Sequence, residues 1–80
     1  MKRTIYSKEN QHFLDLMIQA RVKMGVTQAE LAKRLEKPQS FVSKYEKGER
    51  RLDVIEFVTV CKTLKVDPRK IFNRVLRLMK

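Results

Sequence analysis

Thr27-Gln28-Ala29-Glu30-Leu31-Ala32-Lys33-Arg34-Leu35, then Glu36-Lys37-Pro38, then Gln39-Ser40-Phe41-Val42-Ser43-Lys44-Tyr45-Glu46: this stretch decides how the chain folds. It reads as two short amphipathic helices around a three-residue break. Thr27 and Glu30 have the spacing of a capping box, in which a hydroxyl and a carboxylate satisfy the free N–H groups of a helix start. Leu31, Ala32 and Leu35 form the buried stripe of the first helix, and Val42 and Tyr45 that of the second. Each helix opens on a glutamine, Gln28 and Gln39, whose amide can donate to and accept from one adenine at once.

Working outward, Ser7 can cap a helix whose apolar residues Phe13, Leu14, Met17, Ala20 and Met24 recur at threes and fours, with Gly25 as its left-handed end. After a turn at Lys47-Gly48-Glu49, Asp53 and Glu56 make a second capping box. The helix they open is expected to face inward with Val54, Phe57, Val58, Cys61 and Leu64. Asp67-Pro68 is a cap followed by proline in the first helical position, so a last helix is expected over residues 68–79. Its first half, with Ile71 and Phe72, is expected to close the core. Val75, Leu78 and Met79 are the candidate dimer seam. The fold class is all-α: a compact five-helix domain spanning 1–80, with a basic arm at 1–6 that includes Lys2 and Arg3.

Bulk composition limits the function. Eighty residues make one domain, and 42% hydrophobic content is enough for a small folded core. The 19 Lys and Arg against 9 Asp and Glu leave a formal net charge of +10, which points to nucleic acid or an anionic membrane. No apolar run is long enough to span a bilayer, and the apolar residues are accounted for by a core, so no membrane role is expected. With one histidine, His12, and one cysteine, Cys61, the chain has no His/Cys metal cluster and no adjacent nucleophile–base pair. No glycine-rich phosphate loop is present. The expectation is a protein that is not an enzyme and uses no metal or cofactor. The lone cysteine fits a cytoplasmic setting.

The strings Gly25-Val26-Thr27-Gln28-Ala29-Glu30-Leu31-Ala32 and Gln39-Ser40-Phe41-Val42-Ser43-Lys44-Tyr45-Glu46-Lys47-Gly48 resemble the Cro/C1-type (XRE) helix-turn-helix family, over roughly residues 13–72. The resemblance implies a lambda-repressor-like DNA-binding domain, with the helix-turn-helix at 27–46 and the second of its helices in the major groove. It also implies that Gln28 contacts phosphate and braces Gln39, and that an arginine on the first helix, Arg21, pairs with the acid Glu46. Gln39, Ser40, Ser43 and Lys44 share the face opposite Val42 and Tyr45 and are candidates for base or groove contact. Phe41 lies between the two faces, free to press on a thymine methyl or to pack sideways. Lys47, Arg50 and Arg51 are expected at phosphates or the minor-groove rim.

Two residues depart from the pattern. Glu36 stands where the family usually has glycine, and Pro38 where it often has a capping Ser or Thr. The expected partner is double-stranded DNA with a two-fold site, bound by a homodimer acting as a transcriptional regulator, a repressor in the first instance. An antitoxin that represses its own operon and masks a toxin would carry the same motif, with a separate protein partner. A protein-binding adaptor without DNA affinity is the alternative from another class. The retained glutamines and basic rim argue against the adaptor.

Overall fold

The computed structural model describes residues 7–79 and contains five helices: α1 Lys8–Lys23, α2 Gln28–Leu35, α3 Gln39–Lys47, α4 Val54–Thr63 and α5 Pro68–Leu78. The arm at 1–6, with Lys2 and Arg3, lies outside the described residues.

Local chemistry starts the helices. The Ser7 hydroxyl accepts from the Asn10 N–H at 3.0 Å. Both capping boxes close: the Thr27 hydroxyl accepts from the Glu30 N–H at 3.0 Å while the Glu30 carboxylate accepts from the Thr27 N–H at 2.9 Å. Asp53 and Glu56 do the same at 2.7 and 2.9 Å. Asp67 caps α5 through the Arg69 N–H at 2.9 Å, with Pro68 in the first turn. Four of the helices end before a residue with positive φ, at Gly25 (73°), Glu36 (58°), Gly48 (79°) and Lys65 (59°). Glu36 therefore adopts the conformation the missing glycine would favour, at a cost of about 1 kcal/mol.

One core binds the helices together. Leu14 and Met17 from α1, Leu31 and Ala32 from α2, Phe41, Val42 and Tyr45 from α3, Val60 and Cys61 from α4, and Ile71 from α5 are its buried members, with Val26 and Leu64 closing it from the loops. Helix α3 packs on α2 and α1, while α5 packs on α1 and α4. The tight α2–α3 pair is the platform on which the functional face is built.

The structure corrects the inner faces of α4 and α5. Val54 was expected inside and is 69% exposed, whereas Val60 is buried together with Cys61 and Leu64. Phe57 and Val58 are half-buried. Helix α4 is apolar almost all round, so periodicity did not fix its rotation. The α2 and α5 surfaces fixed it instead, turning the helix so that Val60 points inward. In α5, Ile71 closes the core as expected, but Phe72 is 57% exposed and takes no part.

Candidate nucleic-acid interface

The outer surface of α3 carries Gln39, Ser40, Lys44 and Lys47, all exposed, with Ser43 half-buried among them. The opposite surface holds Val42 and Tyr45, both fully buried. That division follows from the helical repeat, which puts residues three and four apart on one side. The Ser43 hydroxyl donates to the Ser40 carbonyl at 3.4 Å, a long contact within the helix that leaves little bulk on this surface. Pro38 occupies the cap position of α3 with no side-chain hydrogen bond, in extended conformation at φ −67° and ψ 154°. Its ring supplies the fixed φ but no capping oxygen.

Glu46 is the fixed point beneath this surface. Its carboxylate accepts from Arg21 Nε at 2.8 Å and Arg21 Nη2 at 3.1 Å, a bidentate fork, and from Gln28 Nε2 at 2.9 Å. The remaining guanidinium nitrogen, Nη1, donates to the Val26 carbonyl at 2.9 Å. Side-chain exposure is 14% for Arg21 and 4% for Glu46, so the pair is sheltered from solvent. Helices α1, α2 and α3 are thus tied at one carboxylate. Gln28, expected to contact phosphate and brace Gln39, donates its Nε2 to Glu46. Charge-assisted, two-pronged geometry of this kind sets orientation as well as energy.

Phe41 takes the packed position of the two open to it. It is 8% exposed, with its ring edge-on to Tyr45 at a centroid distance of 5.7 Å. The Arg50 guanidinium lies 4.6 Å from the Phe41 ring centroid and the Lys37 ammonium 5.6 Å from it. A base contact through Phe41 is therefore corrected: its ring is spent inside the protein.

Arg50 is likewise engaged. It forks onto Glu56 at 2.9 and 2.7 Å and donates to the Arg51 carbonyl at 2.6 Å. The expectation of a phosphate contact there meets a guanidinium already employed in clamping the α3–α4 loop to the start of α4. Glu56, held by Arg50 and by the Asp53 N–H, has its carboxyl pulled down to about 2. No local spacing rule joins residues 50 and 56 across a loop, which is why the sequence did not mark the pair. Arg51 is exposed beside it.

Two buried groups complete the region. The Tyr45 hydroxyl finds no hydrogen-bond partner among the described residues, and burial, followed by the Glu46 charge, pushes its phenol up. Burial also raises the Cys61 thiol to about 11, so it is an inert core group at neutral pH. Among the described residues, no group of three or more His, Cys, Asp or Glu is placed to hold a metal ion, and no helix is long and apolar enough to cross a membrane.

On α5, Val75 is half-buried, while Leu78 and Met79 are exposed. The sequence reading missed Leu76, which is exposed, and placed Phe72 inside. Phe72, Leu76 and Met79 recur at four and three and form a solvent-facing stripe. It borders a hollow of about 280 Å³ lined by Phe13, Leu52, Val54, Phe57, Phe72 and Val75, among others. The Phe13 and Phe57 rings meet edge-on there at 5.4 Å.

This geometry has close relatives. The helix-turn-helix family model matches residues 17–71. The structure of an XRE-family like protein from Pseudomonas syringae pv. tomato str. DC3000 is 47% identical and superposes with a TM-score of 0.87, covering 96% of this chain and 94% of that one. The structure of a single-substitution mutant of the restriction-modification controller protein C.Esp1396I is 22% identical, with a TM-score of 0.77 over 91% of this chain and 92% of that one. At that identity it speaks for the fold alone. No curated protein matches. The chain belongs to the XRE-type helix-turn-helix family of DNA-binding transcription regulators.

Proposed function

We propose that the protein is a sequence-specific regulator of the cytoplasm, acting as a repressor by occupying a site in double-stranded DNA, with α3 in the major groove. The observation that carries this reading is the exposed row Gln39, Ser40 and Lys44 on a helix whose other side is locked into the core and whose last turn is tied down at Glu46. A rigid polar face with one amide at its N-terminal end is what direct readout of a base edge requires. Lys44 is placed for a guanine edge or a phosphate. Lys47 and Arg51 serve the DNA backbone, and Gln28 serves it from the first turn of α2, where unsatisfied N–H groups favour an anion.

Gln39→Ala tests the reading. On a duplex obtained by selection from random sequence, binding should weaken by about 1–3 kcal/mol, with relaxed preference at one base pair per half-site. Equal losses on the selected and a random duplex would reduce Gln39 to a backbone contact.

A second copy of the chain completes the footprint, because one module of this size covers little DNA. The stripe Phe72, Leu76 and Met79, with Val54 beside it, is the apolar surface that supports this, displaced from the seam of Val75, Leu78 and Met79 that the sequence suggested. A two-fold site on successive major grooves requires the two α3 helices about 34–36 Å apart, one turn of DNA. Sedimentation of the Phe72→Asp, Leu76→Asp double variant should show loss of the dimer with the monomer still folded. An intact dimer would move the seam elsewhere.

A further inference from the structure

Helix α5 has a second flank that neither the core nor the apolar stripe uses. At about 100° per residue, Ile71 points into the core and Val75 lies half-buried behind it, with Phe72, Leu76 and Met79 to one side. Lys70, Arg74 and Arg77 lie on the other side, all exposed, spaced one turn apart. Among the described residues none of the three forms an ion pair. They overhang α1. Two adjoining hollows lie between the helices, of about 310 Å³ with His12, Leu16, Arg74, Arg77 and Leu78 in the wall, and about 250 Å³ with Ala20, Lys23, Val66, Lys70 and Ile71 in the wall. The floor is apolar and the rim is cationic. On α1, the residues that face this groove, Leu16, Gln19 and Lys23, sit roughly half a turn from Met17 and Arg21, which face the core and α3. The groove therefore opens on a different side of the domain from Gln39 and Lys44.

We propose that the α1–α5 groove docks an acidic amphipathic segment of a partner protein. Carboxylates spaced one helical turn apart would meet Lys70, Arg74 and Arg77, and apolar side chains between them would fill the hollows over Leu16, Ala20 and Val66. Charge complementarity selects the sign of the partner, and the apolar floor selects its class. Phosphates of a nucleic acid would satisfy the three cations but bring nothing to cover the floor. Docking here would leave both the α3 face and the Phe72 stripe uncovered, so the partner could ride on the DNA-bound protein.

The test is fluorescence anisotropy with a labelled helical peptide that carries one Glu per turn beside a Leu stripe. The parent protein should bind it saturably. The Arg74→Glu, Arg77→Glu double variant should bind it roughly tenfold more weakly or worse, with affinity for duplex DNA kept to within a few-fold. A peptide with Ser in place of Leu should lose binding to the parent, since the floor would then be unfilled. Absence of saturable binding to the parent overturns the proposal, as does equal affinity for the double variant. A double variant that loses duplex affinity as strongly as peptide affinity assigns the groove to DNA and equally overturns it. Should thermal melting show the double variant unfolded, Lys70→Gln with Arg77→Gln takes its place, with several-fold weaker peptide binding expected and unchanged binding counting against the groove.

Discussion

Two arginine–glutamate forks hold this domain together, and they differ mainly in how much water they see. Arg21–Glu46 joins α1 to the end of α3 at 14% and 4% side-chain exposure, with Gln28 as a further donor. Arg50–Glu56 joins the α3–α4 loop to α4 at 39% and 21% exposure, with the Phe41 ring beneath the guanidinium. Nearly the same bond lengths occur in both. The first sits where removing one partner strands a charge, the second where water can replace it. The lesson is that the fork under the reading helix governs whether α3 is held at all, and the fork beside it governs how the following loop is set.

The largest expected effect is from Arg21→Ala, which leaves Glu46 with Gln28 alone and should cost about 3–5 kcal/mol in chemical denaturation. A melt matching the parent would erase the distinction between the two forks. Gln28→Ala removes one donor but leaves the arginine fork intact, so a loss of about 1.5 kcal/mol is expected, the usual worth of a hydrogen bond to a charged group. If the loss instead equals that of Arg21→Ala, the glutamine and not the arginine is the essential partner.

Arg50→Ala should cost least, about 1 kcal/mol from a partly exposed pair and the cation–π contact on the Phe41 ring. Its clearer signature is in acid. The Glu56 carboxyl, about 2 in the folded protein against 4.5 ordinarily, contributes stability that is whole above pH 4.5 and is lost as the pH falls toward 2. Denaturation followed across that window should show a shallower acid slope in the variant, with the Asp53 contribution remaining. An unchanged slope would mean that the Asp53 N–H holds Glu56 without help.

Legibility in the sequence followed the range of each interaction. Both capping boxes, Ser7, Asp67-Pro68 and the left-handed Gly25 act within a few residues, and the structure has each where the spacing put it. Lys65 adopts at the end of α4 the conformation that Gly25 adopts after α1, yet no glycine marks it. Rotation of α4 was misjudged because Val54, Ile55, Phe57, Val58 and Val60 offer an apolar residue in almost every direction. Phe72 was drawn into the expected core by its hydrophobicity, when the neighbouring Ile71 had already filled the place. Of the two forks, Arg21–Glu46 spans 25 positions and was visible only through the family resemblance. Arg50–Glu56 is much shorter in sequence but crosses a loop, so neither periodicity nor resemblance announced it. The polar row on α3 was readable because Val42 and Tyr45 fixed the opposite side. Phe41, on the border between them, was settled only by the ring and guanidinium it packs against.

The isolated hydroxyl of Tyr45 makes the protein its own optical gauge. The chain has no tryptophan and two tyrosines, Tyr6 and Tyr45, so in a Tyr6→Phe variant the phenol absorbance belongs to Tyr45 alone. An ordinary phenol ionises near 10, while this one stays protonated well above that as long as its shell is closed. Stability from this group is therefore complete below pH 10 and declines as the pH climbs beyond it, because only opened chains release the proton. In that variant, phenolate absorbance above pH 10 counts the molecules whose core has come apart, without dye, label or added chromophore.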